Sequence, residues 1–284
     1  MQVLQSRKAL KKLVLSLRNK KKTVGFVPTI GFLHEGHLSL VKKSVAENDF
    51  TVASIFVNPL QFGPKEDFKK YPRDLARDRK LLASAGTGAL FVPDTKEFYP
   101  QDFQTTVSVG KLSRPLCGKS RPIHFAGVAT VVLKLLNLVE PTTLYLGQKD
   151  YQQCRVIEQM IEDMDLGVRV RRGEIVREKD GLAMSSRNVF LSPVERSEAV
   201  LLSRALSRAR DFVQAGERDA KKIRREVLSV LAQASHGRVD YAEIVDARTL
   251  GDVVKLQKAT QVVVALAVYF SKARLIDNIV LDVA

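Results

Sequence analysis

The chain reads as α/β: a doubly wound parallel sheet over its first two-thirds, then a smaller α+β domain. Three observations predict this. Short apolar, β-branched runs alternate with helical stripes between Val24 and Val170, and such alternation argues for parallel strands joined by crossover helices. Polar stretches follow the strand-like runs at Pro28-Thr29, Asn58-Pro59 and Gly147-Gln148-Lys149-Asp150, at the carboxyl ends where open sheets of this kind place ligands. After Arg177 the alternation stops, and helical stripes precede a group of strand-like runs.

The elements follow in order. Residues 10–17 form an opening helix, 24–27 a buried strand and 38–46 a helix. Residues 51–57 are a β-branched strand ending at Asn58-Pro59, and 75–85 a helix stopped by Gly86. Residues 89–92 make a strand closed by Pro93. A helix over 125–139 is apolar almost all round, so it belongs in the core. A strand at 144–146, a helix at 151–164 and a strand at 168–170 complete the first layer set. Ser192-Pro193-Val194-Glu195 carries a capping serine, a proline at the first helical position and a glutamate that closes the box. Leu201, Leu202, Ala205, Leu206, Ala209, Phe212 and Val213 continue that helix to Gly216. Ile223, Val227, Leu228 and Leu231 mark another, stopped near Gly237. Residues 239–245, 262–270 and 275–279 read as strands of a small mixed sheet. The boundary is placed near 176–181, giving a Rossmann-like domain over 1–177 and the α+β domain over 178–284.

Bulk properties narrow the function classes. Apolar content of 45% and charged content of 27% in 284 residues suit a globular enzyme. The longest apolar runs, 261–270 and 128–139, are too short to span a bilayer, and Lys134 interrupts the second. Lys8, Lys11 and Lys12 precede no apolar core with a cleavage site, so no leader is expected. Cys117 and Cys154 are the only cysteines, which fits a reducing cytoplasm rather than a disulfide scaffold. The net charge of +15 is read first as a solvated basic surface, second as attraction for anionic substrates and third as nucleic-acid binding. No aromatic residues interleave with the basic clusters, so no nucleic-acid or membrane partner is expected.

The densest chemical signal is Pro28-Thr29-Ile30-Gly31-Phe32-Leu33-His34-Glu35-Gly36-His37. It lies where a strand hands over to a helix N-terminus, whose N–H groups and dipole favour anions. Gly31 and Gly36 permit close approach to the main chain. His34 and His37 then read as donors to phosphate oxygens, as helix-capping histidines, or as two ligands of a metal joined by Cys117 and His124. No second ligand pair at zinc-finger spacing accompanies them, so no metal site is expected. Lys149 and Asp150 suit phosphate and ribose hydroxyls, or an ordinary surface turn. Met184-Ser185-Ser186-Arg187 offers hydroxyls, N–H groups and a guanidinium, a phosphate clamp or a polar linker. Asn58 reads equally as a loop cap or a substrate contact, and His124 as structural. Arg114, Lys119 and Arg121 read as a solvated loop, and Asp74 and Asp78 as a charged helix face rather than magnesium ligands.

His34-Glu35-Gly36-His37 resembles the signature of the nucleotidylyltransferase and class I aminoacyl-tRNA synthetase superfamily. Longer strings narrow this. Phe56-Val57-Asn58-Pro59-Leu60-Gln61-Phe62-Gly63, Tyr71-Pro72-Arg73, His124-Phe125-Ala126-Gly127-Val128-Ala129-Thr130-Val131-Val132, Gly147-Gln148-Lys149-Asp150-Tyr151-Gln152-Gln153 and Asp180-Gly181-Leu182-Ala183-Met184-Ser185-Ser186-Arg187-Asn188 resemble the pantothenate synthetase family, in that family's order.

The resemblance implies an AMP-forming ligase that joins pantoate to β-alanine through pantoyl adenylate, with an adenylyltransferase of the same superfamily as the alternative. It implies that His34 and His37 are catalytic and that ATP lies against residues 30–37 (Ile30, Gly31, Phe32, Leu33, His34, Glu35, Gly36, His37), Gly147, Gln148, Lys149, Asp150, Val176, Met184, Ser185, Ser186 and Arg187. Gln61 and Gln153 are implied to bind pantoate, and Gln61 also β-alanine. Magnesium is expected to arrive on the ATP phosphates, and a homodimer is implied. Two positions depart from the family: Ile30 replaces the usual methionine and Ile123 the usual glycine. A β-branched residue tolerates positive φ poorly, so the loop around Ile123 is expected to differ.

Overall fold

The computed structural model describes residues 1–64 and 66–284. Its elements in chain order are β1 (Gln2–Leu4), α1 (Arg7–Asn19), β2 (Val24–Thr29), α2 (Glu35–Glu47), β3 (Phe50–Ile55), α3 (Leu75–Ser84), β4 (Ala89–Phe91), α4 (Thr95–Phe98), α5 (Cys117–Ser120), α6 (His124–Val139), β5 (Thr143–Gly147), α7 (Tyr151–Asp163), β6 (Arg169–Gly173), α8 (Pro193–Ala199), α9 (Leu201–Gln214), α10 (Ala220–Leu231), β7 (Arg238–Asp246), β8 (Thr260–Tyr269) and β9 (Arg274–Val283). Among the described residues no helix is long and apolar enough to cross a membrane. The chain divides into two compact units. The first comprises residues 1–113, 121–148 and 153–174; the second comprises 114–120, 149–152 and 175–284.

In the first unit six parallel strands run in the order β1-β4-β3-β2-β5-β6. Strand β1, too short to show any periodicity, was not predicted; it adds to the edge beside β4. Side chains alternate across the sheet. Val27, Ala53, Leu90 and Tyr145 share one face and pack with Leu40 and Val41 of α2 and Leu82 of α3. The intervening Phe26, Val52, Phe91 and Leu144 are also buried, and α6, which carries α1, packs against β2. Burial on both faces explains why these strands read as continuous apolar runs rather than alternating ones. The neighbouring strands β3, β2 and β5 all end on one rim, releasing Asn58, Ile30 and Gln148.

In the second unit α8, α9 and α10 share an apolar core with β7, β8 and β9. The sheet differs from expectation: both pairings are antiparallel, so it is not mixed. The turn from Phe270 to Ala273, closed by Phe270 N–H donating to the Ala273 carbonyl at 2.8 Å, returns the chain directly alongside itself. A link that short can only join antiparallel strands. The single helix expected from Ser192 to Gly216 is instead two, interrupted at Val200. Ala199, Val200, Leu201 and Leu202 are all buried. Four consecutive residues spread over about 300° of a helix's circumference, so a straight helix cannot bury all of them on one side.

The capping box at the start of α8 is as expected, and its glutamate has an additional partner. Glu195 accepts from Ser192 N–H and from Ser271 N–H, each at 2.8 Å. These donors hold its carboxyl at about 2, down from 4.5. Its stabilising contribution is therefore full above the unfolded value and lost as pH falls toward the folded one. Glu195→Gln is expected to lower the thermal midpoint at neutral pH. The gap from the parent protein should shrink as melts are repeated down to about pH 3.

Candidate active site

The turn between β2 and α2 is built from the inside. Gly31 and Phe32 both have positive φ, 84° and 52°. A Cβ on Gly31 would lie 3.3 Å from an Asp78 carboxylate oxygen, so the position suits glycine on two grounds. Asp78 accepts from Phe32 N–H at 2.7 Å and from Leu33 N–H at 2.8 Å. Thr29 Oγ1 accepts from Gly31 N–H at 3.3 Å and donates to the Ser54 carbonyl at 2.8 Å. Three successive N–H groups are thus held by two side chains. Asp78 is 1% exposed, so it does not belong to a charged helix face as predicted. Burial pushes its carboxyl up from the ordinary value, against the pull of the two N–H donors. Asp74 accepts from Arg77 N–H at 2.9 Å and caps α3.

His34 is the N-cap of α2, and His37 is in its first turn. His34 Nδ1 accepts from Gly36 N–H at 3.2 Å, while His37 Nδ1 accepts from His34 N–H at 3.3 Å. The rings lie 4.1 Å apart between centroids. The expected alternatives for this pair, capping and phosphate donation, are therefore compatible. Capping occupies Nδ1, so the proton of each neutral ring is carried by Nε2, which is a donor. Around them, Ile30, Phe32 and Gly36 are half-buried, Leu33 is in the core, and Glu35 is exposed and pairs with Lys42 at 3.5 Å.

At the end of β3, Asn58 is wholly buried. Its Oδ1 accepts from Leu60 N–H at 3.2 Å and from the Tyr99 hydroxyl at 3.0 Å. Its amide donates to Gln61 Oε1 at 3.1 Å and to the Gly127 carbonyl at 3.0 Å. Asn58 is therefore a loop cap that orients Gln61. The Gln61 carbonyl accepts from Arg121 Nη2 at 3.3 Å and lies 3.0 Å from His124 Nδ1. Arg121 also forks onto Glu66 at 2.8 and 2.6 Å, so it is not a solvated loop residue. Ile123 has φ −89°, an ordinary value, so its β-branch imposes no strain. Gly147 ends β5 and Gln148 follows it, and Gln153 is half-buried on α7.

In the second unit, Lys149 Nζ lies 3.9 Å from Asp150 Oδ2. A small hairpin carries the other predicted residues. Met184 N–H donates to the Val176 carbonyl at 2.9 Å, and Glu178 N–H to the Leu182 carbonyl at 2.8 Å. Val176 and Met184 are thus paired across it and half-buried. Ser185 caps the 3-10 turn Ser186–Phe190, its Oγ accepting from Arg187 N–H at 3.2 Å. Ser186 is buried and Arg187 half-buried. Cys117 Sγ lies 3.3 Å from the Tyr241 hydroxyl. Among the described residues no group of three or more His, Cys, Asp and Glu side chains could hold a metal.

Tyr99 was not identified from the sequence, and Asp78 was read as part of a charged face; both support segments remote in the chain. Gly127 shows how tight this support is. A Cβ there would lie 2.2 Å from the Leu60 carbonyl oxygen and 2.6 Å from Gln61 N. Gly127→Ala is expected to push the 58–61 turn away from α6 and to cost about 2 kcal/mol, read by urea unfolding.

Comparison with known proteins shows the family. The family model for pantoate-beta-alanine ligase matches residues 2–280. Pantothenate synthetase of Thermotoga neapolitana is 52% identical over 281 residues, covering 99% of this chain and 100% of the relative. That of Acetivibrio thermocellus is 50% identical over 283 residues, covering 100% of each. Among solved structures, pantothenate synthetase from Thermus thermophilus superposes with a TM-score of 0.92 at 44% identity, covering 98% of this chain and 99% of that one. The Francisella tularensis pantoate-beta-alanine ligase, complexed with beta-gamma ATP and beta-alanine, gives a TM-score of 0.81 at 35% identity, covering 98% and 97%. A match in sequence over the whole chain, with the same fold throughout, makes this chain a member of the pantoate–β-alanine ligase family.

Proposed function

We propose that the chain condenses pantoate with β-alanine at the expense of ATP, forming pantothenate, AMP and pyrophosphate. The observation that carries this reading is the reciprocal capping of α2, which fixes two imidazoles with Nε2 as donor at a helix N-terminus. A carboxylate repels an amine nucleophile. Activation therefore comes first: a pantoate carboxylate oxygen attacks the α-phosphorus of ATP, and pyrophosphate leaves. The mixed anhydride then has a neutral acyl carbon and a good leaving group. The β-alanine amine attacks that carbon, loses a proton, and AMP departs.

The protein's part is positioning and electrostatics. His34 and His37 donate to phosphate oxygens as charge accumulates on the departing pyrophosphate. Lys149, Ser185, Ser186 and Arg187 assist with further positive charge and donors, and Asp150 accepts from ribose hydroxyls. Residues 30–37, Gly147, Gln148, Val176 and Met184 line the nucleotide. Gln61 and Gln153 orient pantoate without competing for its charge, and Gln61 also meets β-alanine. The buried Asn58 supports this role, because it restrains the Gln61 side chain before substrate arrives.

Magnesium belongs with the nucleotide in this reading. Asp74 and Asp78 are committed to backbone N–H groups, so the chain supplies few ligands and the ion rides on phosphate oxygens. A homodimer working in the cytoplasm completes the proposal.

Two experiments test it. AMP release, with pantoate and β-alanine each omitted in turn, should require both precursors. His37→Ala removes both the cap acceptor and the Nε2 donor, whereas His37→Asn retains an acceptor near the Nδ1 position. Both are expected to slow adenylate formation roughly 100- to 1,000-fold, with Asn keeping more of the parent's thermal stability. Full turnover by either variant would refute the role of His37.

A further inference from the structure

Strand β9 lies at the edge of its sheet, and two adjacent polar residues in its middle are almost fully buried: Asp277 is 2% exposed and Asn278 3%. Their neighbours Leu275, Ile276, Ile279, Val280 and Leu281 are apolar. A carboxylate and an amide buried here cost stability unless each is partnered. The partners lie on the segments assigned above to the ATP phosphates.

Asp277 accepts both terminal nitrogens of Arg177, at 2.6 and 3.0 Å, and Asn278 N–H at 2.8 Å. Arg177 also donates to the Gly181 carbonyl at 3.0 Å and bridges to Ala183 across the hairpin. The carboxylate therefore grips the hairpin whose outgoing arm leads directly into Ser185, Ser186 and Arg187. Gly181 is at the tip with φ 97°, so the hairpin turns tightly around the arginine's attachment. Asn278 acts on the other segment, its amide donating to the Lys149 carbonyl at 2.9 Å. Burial pushes the Asp277 carboxyl up, while Arg177 and, more weakly, Lys149 pull it down. All of these residues belong to the second unit.

We propose that Asp277 and Asn278 are positioning residues for the ATP phosphates. Asp277, through Arg177, sets the hairpin that presents Ser185, Ser186 and Arg187, and Asn278 sets Lys149 through its carbonyl. One strand thereby fixes the spacing between two phosphate-binding segments that are distant in sequence. A purely stabilising role would be served as well by apolar residues of similar volume. The inference rests on the assignment of Lys149 and residues 185–187 to phosphate.

Steady-state rates on the full chain test it, with ATP, pantoate and β-alanine varied separately and thermal melts run in parallel. Asp277→Asn keeps the shape and removes the charge, and Asn278→Ala removes the tether to Lys149. Arg177→Lys keeps the charge and removes the fork, on a side chain 30% exposed that tolerates change if Asp277→Asn does not fold. Each variant is expected to raise KM for ATP on the order of tenfold, with KM for pantoate and β-alanine changed less than about twofold. Asn278→Ala should add little in a Lys149→Ala background. Lower melting temperatures with an unchanged KM for ATP would overturn the positioning role. Lys149→Ala serves as the reference: if it leaves KM for ATP unchanged, the phosphate assignment itself fails. If it raises KM while the β9 and Arg177 variants do not, only the present inference fails.

Discussion

Two backbone N–H groups at the start of α2 donate to imidazole nitrogens, and the rim of the parallel sheet depends on that closure. Helix N-termini expose N–H groups that need partners, and Ser, Thr, Asp or Asn usually supply them. Here rings take that part. A ring that caps through Nδ1 is held in one orientation and one neutral tautomer, with Nε2 as donor. The same two bonds that cap the start of the helix also set which ring nitrogen is left to donate. The turn ahead is equally constrained: Asp78 and Thr29 hold three consecutive N–H groups, and Gly31 and Phe32 take positive φ. Strand register, turn, cap and tautomer form one chain of cause.

The two units support their segments by different means. In the first, support is buried and polar: Asn58 makes four hydrogen bonds from a wholly buried position, and Gly127, lacking a Cβ, lets the 58–61 turn lie close against α6. In the second, the hairpin leading to Ser185 is held by charged side chains. Arg196 pairs with Glu178 and Asp180, each at 2.7 Å, and Asn188 donates to Glu178 at 3.0 Å. Partly exposed pairs of this kind contribute little each, and their value lies in fixing geometry.

Much of this was legible in the sequence because the signals were local. The strand at Val24, the α2 N-terminus with its two histidines, the stop at Gly86 and the capping box at Ser192 each need only a few neighbouring residues to recognise. What escaped depends on distant partners. Asp78 looked like part of a charged face because its acceptors serve N–H groups 45 and 46 positions earlier. Arg121 looked solvated because Glu66 lies 55 positions away. Strand β1 carries too few residues to show a period. The break at Val200 was hidden because each half keeps a helical stripe, and the antiparallel order of the last sheet was readable only from the short Phe270–Ala273 link. Asn58 illustrates a role that composition cannot decide: the residue type suits a cap or a substrate contact, and only its burial settles it as a cap.

The central claim is that capping fixes His34 and His37 as Nε2 donors that meet phosphate. Nitrogen-15 NMR of the imidazole nitrogens, recorded with and without a non-hydrolysable ATP analogue, tests it most directly. The account predicts an unprotonated Nδ1 in both rings at neutral pH, with the Nε2–H resonances moving when the nucleotide binds. Protonated Nδ1 atoms, or Nε2 signals indifferent to the nucleotide, would contradict it.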